Sequence, residues 1–296
     1  MNLSTEFQGT PATFNEVVEV GRGPKVAKVA LITDAASAVG SVLTLAMAAE
    51  GWDVALQYDQ AAVPAGVLEL VNECIALGRR AAAVHCNMTD EASVKLLVPR
   101  VIDTFGKLTC IVNTATLAID DCSDDFSATN LARHMHTNVS LPILLAYALH
   151  AATPVGAQGV VITLLDHRPV SPQAKFLSYT LSKAALQSAT RSLALALAPT
   201  IRVVGIAPVL ALTQAKAPSG TSGTPASADD PTLDAATSAE DFAASVCFIA
   251  DCSAVTGATL QIDSGKYLRA HAPDLTVAVE LTRHFQDANN RKQSHK

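Results

Sequence analysis

Charge is scarce in this chain. Asp, Glu, Lys and Arg make up 16% of its 296 residues, and acids outnumber bases 27 to 21 for a formal net charge of -6. A protein that grips nucleic acid by its phosphates carries a basic stripe, so nucleic acid is not an expected partner, and neither is an acidic membrane surface. Long apolar runs are also lacking. The longest, around Leu141 to Ala152, is interrupted by His150 and falls short of the roughly 18 residues a spanning helix needs. Met1 to Val20 contains Glu6, Glu16 and Glu19 and lacks the basic-then-apolar order of a secretory signal, which makes a cytoplasmic location the expectation. The six cysteines, Cys74, Cys86, Cys110, Cys122, Cys247 and Cys252, form no CxxC pair and mostly lie in apolar surroundings, so buried free thiols are expected. The eight histidines show no ligand spacing, so no metal is expected, and there is no internal repeat.

What is present is a large apolar fraction, 49%, enough for a full core. From Val26 the chain alternates seven short β-branched runs with longer helical patterns. The runs are Val29 to Thr33, Val54 to Tyr58, Ala81 to Cys86, Cys110 to Asn113, Val160 to Leu164, Arg202 to Ile206, and Thr259 to Ile262. This rhythm predicts an α/β fold, a single doubly wound parallel sheet of about seven strands with helices on its faces, and uniformly apolar runs predict strands buried on both sides. Helices are predicted over 37–50, 64–78, 90–105, 127–152 and 172–198, with Gly51, Gly78 and Gly106 as stop signals. Residues 1–24 read as a polar arm, 25–268 as the folded domain and 269–296 as a tail. Within the domain, 209–237 is rich in Ser, Thr, Ala, Gly and Pro and reads as a substrate lid.

One hexapeptide organises the rest: Ser178-Tyr179-Thr180-Leu181-Ser182-Lys183. Tyr179 and Lys183, four residues apart, share a helix face, and the ammonium would stabilise a tyrosinate and draw the phenol down from about 10 towards the range of a neutral-pH acid or base. The segment Asp34-Ala35-Ala36-Ser37-Ala38-Val39-Gly40 after the first run has the small side chains and Gly40 that let a helix N-terminus approach a pyrophosphate, although Asp34 places a negative charge there. After the second run stands Tyr58-Asp59-Gln60. Asp59 with no adjacent Arg suits a ribose 2'-hydroxyl, as in NAD, or is a solvated turn acid.

Taken in order, the small-residue turn, Asn113-Thr114-Ala115, Asn138, Tyr179 with Lys183, and Val255-Thr256-Gly257 leading to Ile262-Asp263-Ser264-Gly265 resemble the short-chain dehydrogenase/reductase family over residues 26–268. The family's TGxxxGxG stands here as Thr33 to Gly40 and its NNAG as Asn113-Thr114-Ala115-Thr116, both altered. Asp166 lies thirteen residues before Tyr179, where most members have Ser, and this resembles the pteridine reductase branch with its dihydromonapterin-type reductases. A capping acid after a strand is the other reading of Asp166. The resemblance implies that Asp166 and Tyr179 donate a proton, that Lys183 holds the nicotinamide ribose and tunes Tyr179, and that Asn138 completes a water relay. It also implies a dinucleotide lying against Thr33, Ala36, Ser37, Val39, Gly40, Tyr58, Asp59, Gln60, Asn87, Met88, Asn113, Thr114, Ala115, Pro208, Tyr179 and Lys183. NADP(H) is slightly favoured by the branch and NAD(H) by Asp59. The aromatic against which a pterin would stack in that branch is missing near Ala118. The implied activity is NAD(P)H-dependent reduction of a carbonyl or C=N bond of a small molecule. The alternative is a catalytically weak relative serving as a structural or partner-binding subunit, motivated by Asp34, Ala38, Thr114, Thr116 and the extended termini. The resemblance further implies a homotetramer or dimer formed through 127–152 and 172–198, with Leu186, Leu193, Leu195 and Leu197 as candidate contacts that a core role would equally explain.

Overall fold

Strand residues of alternate parity point to opposite faces of a sheet, and the first strand, β1 (Lys28–Ile32), shows the consequence: Val29 and Leu31 enter one hydrophobic core, Ala30 and Ile32 the other. A computed structural model of the chain describes residues 28–121, 124–166, 175–208 and 237–265. The expected arm 1–24, nearly all of the lid 209–237, the tail 269–296, Cys122 and positions 172–174 of the expected helix 172–198 lie outside the described residues. The remaining strands are β2 (Trp52–Tyr58), β3 (Ala81–His85), β4 (Cys110–Asn113), β5 (Gly159–Leu164), β6 (Ile201–Pro208) and β7 (Thr259–Ile262). They pair in the order β3-β2-β1-β4-β5-β6-β7, and every pairing is parallel. The order reverses between β1 and β4, so a crevice opens at their carboxyl ends.

The helices are α1 (Ala38–Ala49), α2 (Ala65–Ala76), α3 (Glu91–Phe105), α4 (Ala128–Met135), α5 (Leu141–Ala152), α6 (Leu177–Ala196) and α7 (Ala239–Asp251). Leu43 and Met47 of α1, Val67 and Leu70 of α2, and Phe242 and Val246 of α7 fill one core; Leu97 of α3, Leu145 and Leu149 of α5, and Leu193 of α6 fill the other. Complete burial of a side chain such as Phe242 contributes about 2–3 kcal/mol of apolar transfer. Gly51, Gly78 and Gly106 follow their helices with positive φ, as stop signals do.

Three expectations are corrected. β7 is not buried on both faces: all four of its residues are half-buried, because an edge strand has a neighbour on one side only. The helix expected over 127–152 is divided by a five-residue π segment, His136–Ser140, in which the Leu141 N–H reaches back to the His136 carbonyl. Helix α7 was not among those read from periodicity, although Ser238 caps it by accepting from Asp241 N at 3.0 Å and Phe242, Val246, Ile249 and Ala250 carry its apolar spacing. The Ser- and Ala-rich stretch before it blurs the start signal. Two of its last carbonyls, those of Ile249 and Ala250, are closed from outside by Arg202, which also donates to the Val255 carbonyl beyond the helix.

The five described cysteines are free thiols, four of them buried. Burial pushes Cys74 up to about 12 and Cys247 up to about 11, and Cys86 and Cys110 upward as well, which keeps these thiols unreactive. No helix among the described residues is long and apolar enough to cross a membrane, and no group of metal-ligating side chains occurs among them.

Candidate active site

Helix α6 starts abruptly. Its N-cap residue, Phe176, has φ +59 and supplies no side-chain cap, so the first helical N–H groups need partners from elsewhere. Asp121, in the segment after β4, provides them: its carbonyl accepts from Leu177 N at 3.3 Å and its Oδ1 from Ser178 N at 3.0 Å. Tyr179 follows in the first turn and Lys183 one turn later, and each is only 2% exposed. The Tyr179 hydroxyl donates to Asp166 Oδ2 at 2.6 Å, a short bond of the kind made to a carboxylate. Asp166 sits two residues beyond β5, which carries it to the rim of the sheet. Lys183 Nζ lies 5.6 Å from the centroid of the Tyr179 ring and donates to Leu164 O at 2.8 Å and to Thr116 Oγ1 at 3.1 Å. The sequence pairing of Tyr179, Lys183 and Asp166 is thus a spatial cluster.

Asn138 reaches the same cluster through the π segment. Adding a residue to the turn re-aims the side chains that follow, and Asn138 faces inward, 1% exposed. Its Oδ1 accepts from Leu117 N at 2.8 Å, and its Nδ2 donates to Leu117 O at 2.8 Å and to Ser182 Oγ at 2.9 Å. Ser182 Oγ in turn donates to the Tyr179 carbonyl at 2.7 Å. His134, one turn earlier and fully buried, accepts from Ile119 N through Nε2 at 3.0 Å. Asn138 and His134 therefore clasp the backbone on either side of Ala118, and Ala118 packs against Phe176 and Tyr179. Sequence reasoning missed His134, Asp121, Thr116 and Ser182. The one available signal was the spacing of His134 and Asn138 on a shared helix face.

The residues expected around a dinucleotide lie along the carboxyl edge of the sheet. Thr33 is buried at the end of β1, its Oγ1 accepting from Thr114 N and Ala115 N at 3.0 Å each, while Thr114 Oγ1 donates to the Thr33 carbonyl. Ala36, Ser37, Val39 and Gly40 form the turn and first residues of α1, with Ser37 as N-cap accepting from Gly40 N at 3.0 Å. Asp34 has φ +48, a left-handed conformation that Gly adopts freely and Asp tolerates better than most residues. Close packing of the turn, and secondarily the Asp59 carboxylate, push the Asp34 carboxyl above the usual carboxylate range, even though its outer edge reaches solvent. Tyr58 is buried at the end of β2 with its ring edge-on to His85 at 5.4 Å, and Asp59 and Gln60 are exposed beyond it. Asn87 is exposed after β3, its Oδ1 accepting from Thr89 N at 2.9 Å and Thr89 Oγ1 at 2.7 Å, and Met88 beside it is buried. Asn113 is buried at the end of β4, and Pro208 closes β6.

Two observations bear on whether this edge fits a dinucleotide. A Cβ on Gly40 would stand 2.4 Å from the Asp34 carbonyl oxygen, so only glycine lets α1 start this close to β1. Asn113 Nδ2 is buried with no hydrogen-bond partner among the described residues, a donor left for a bound group. The edge fits, with the Asp34 charge as the one opposing feature.

Residues 35–266 match the family profile described as enoyl-(acyl carrier protein) reductase. The L-rhamnose 1-dehydrogenase (NAD(P)(+)) of a Sphingomonas species is 26% identical over 261 residues, covering 81% of this chain and 96% of that protein. Among solved structures, FolM alternative dihydrofolate reductase 1 from Brucella canis, complexed with NADP, is 27% identical with a TM-score of 0.70, covering 83% of this chain and 97% of that one. A blue fluorescent protein from a metagenomic library, in complex with NADPH, is 29% identical with a TM-score of 0.67, covering 80% and 97%.

Proposed function

Because this chain belongs to the short-chain dehydrogenase/reductase family and is an NAD(P)H-dependent enzyme of that type, we propose that it reduces a carbonyl or C=N bond of a small molecule with Tyr179 as proton donor. The observation that carries this reading is the 2.6 Å bond between Tyr179 and Asp166, with the Lys183 ammonium 5.6 Å from the phenol ring. Two acids in such contact cannot both ionise readily, so the pair retains one shared proton near neutral pH, and the nearby ammonium keeps that proton transferable. When bound, the reduced nicotinamide supplies the hydride. The protein supplies the rest: Tyr179 protonates the substrate atom left negative, Asp166 orients the phenol by accepting its hydrogen bond, Lys183 stabilises the phenolate left behind, and water returns the spent proton.

NADP(H) is the favoured cofactor, supported by the relatives solved with NADP or NADPH. The chain would hold it with the α1 start at Ala36 to Gly40 under the pyrophosphate, with Asn113 Nδ2 and with Lys183. Because the Asn87 Oδ1 already accepts twice from Thr89, its amide donors remain for an adenine ring nitrogen. A pteridine-like substrate is the finer reading, supported by Asp166 at the proton-donor position and by the likeness to FolM alternative dihydrofolate reductase. Self-association through α5 and α6 is supported by Tyr147, Leu181 and Leu195, exposed at 50%, 45% and 83%; Leu186, Leu193 and Leu197 are core residues and drop out of that surface.

The test is a fluorescence titration with NADPH and NADH, followed by a panel of carbonyl and pterin substrates. Tighter binding of NADPH and turnover on the panel are expected. The absence of binding to either nucleotide at millimolar concentration would discard the reductase.

A further inference from the structure

The buried ammonium of Lys183 is the most demanding group in the site. At 2% exposure it is nearly cut off from water, and each of its protons needs an acceptor for the charged form to persist. One acceptor is the Leu164 carbonyl at 2.8 Å, and another is the Thr116 hydroxyl at 3.1 Å. That hydroxyl has a fixed polarity. Its single proton goes to the Thr114 carbonyl at 3.1 Å, so only its lone pairs face Lys183. Its backbone is fixed on both sides as well. Thr114 and Ala115 are bonded to Thr33 at the end of β1, and Leu117 is held at both its N–H and its carbonyl by Asn138.

We propose that Thr116 is a positioning residue for this reaction: its hydroxyl, oriented by Thr114, holds the Lys183 ammonium at the site from which it acidifies Tyr179. The proposal rests on the reading of Tyr179 as proton donor. It also gives the two threonines of Asn113-Thr114-Ala115-Thr116 a shared task, a hydrogen-bonded line from the β1 exit through Thr114 and Thr116 to Lys183. Among the described residues, the charged and titratable groups seen to face the phenol include Asp166 at 2.6 Å, from the end of β5, and Lys183, from α6 itself. Without the Thr116 hydroxyl the ammonium loses an oriented acceptor, its charge becomes costlier to keep in place, and the phenolate loses support.

The experiment reads the Tyr179 phenol directly, by ultraviolet titration of tyrosinate absorbance. Because the chain has four tyrosines, each curve is taken as a difference from the same protein carrying Tyr179→Phe. Thr116→Val keeps the volume and removes the hydroxyl; the phenol midpoint is expected to rise by about one pH unit, a tenfold loss of phenolate at fixed pH. Thr116→Ser keeps the hydroxyl and is expected to titrate as the unmodified protein does. If Thr116→Val does not fold, Thr116→Ala makes the same deletion with less bulk and is held to the same outcome. An unchanged midpoint in the hydroxyl-free variant overturns the proposal, and so does a Ser variant that shifts as far as Val. The readout needs no turnover, so a failed substrate panel would remove the reductase reading while this titration still decides what Thr116 does.

Discussion

Helices α1 and α6 both begin at the working edge of the sheet, and both follow a non-glycine residue forced into the left-handed region, Asp34 at φ +48 and Phe176 at φ +59. They solve the problem of an open helix start differently. Helix α1 is capped from within its own turn by Ser37, three residues from the N–H it satisfies. Helix α6 borrows Asp121, 57 residues away. The difference separates two tasks. In the proposed reading a phosphate-sized group approaches a turn that is complete in itself, whereas the proton-donating phenol is held by a separate segment of the chain. Asp121, Ile119 and Leu117 belong to one segment, so the start of α6 and the backbone beside Ala118 are anchored together.

The comparison can be broken most severely at the phenol. Tyr179→Phe is expected to lower kcat by roughly 10² to 10⁴ while leaving the NADPH dissociation constant within a few-fold of its original value, as loss of a general acid does; full turnover in that variant removes the mechanism. Next comes the borrowed cap. Asp121→Ala is expected to cost about 1–2 kcal/mol of stability and to lower kcat with little change in cofactor affinity, since the first turn of α6 loses its anchor. Melting temperature and the split between kcat and cofactor affinity check it, and an unaltered kcat would mean that Tyr179 is aimed without Asp121. The local cap gives the complementary result. Ser37→Ala is expected to cost about 1 kcal/mol and to weaken cofactor binding while leaving kcat at saturating cofactor unchanged.

The smallest effect is at Asp34. Its carboxyl is held above the usual carboxylate range, first by partial burial of the group within the turn and second by the nearby Asp59 carboxylate, although the residue as a whole is exposed. A raised folded-state pKa contributes stability that is complete below the unfolded value near 3.8 and is lost as the pH rises through the raised one. Asp34→Asn, which tolerates the same backbone, is therefore expected to melt higher than the parent at pH 7, with the gain fading as the pH falls through the raised value and gone below about 3.8. NADPH should bind it a few-fold more tightly at neutral pH. Equal affinity would show that Asp34 does not face a phosphate.

Much of this molecule was legible before any coordinates. The seven apolar runs became seven parallel strands, because a strand buried on both faces is written as an uninterrupted apolar run; at the edges the rule relaxes, partly in β3 and throughout β7. Tyr179 and Lys183 were legible as a pair because they share a helix face, whereas Asp166 was legible only through the family resemblance, since its place after a strand equally suits a capping acid. The departures at Thr114 and Thr116 looked like erosion of a motif. In the fold they make a line of hydrogen bonds from the end of β1 to Lys183 of α6.

By itself the sequence determined the parallel sheet, its punctuation by Gly51, Gly78 and Gly106, and the pairing of Tyr179 with Lys183, because these depend on periods of two and three to four residues within single elements. The tertiary structure alone decided how α6 starts, how Asn138 is aimed and what holds Lys183. Those depend on partners 57, 21 and 67 residues apart, and such contacts have no period: they exist only once the sheet has brought the ends of its strands to one edge.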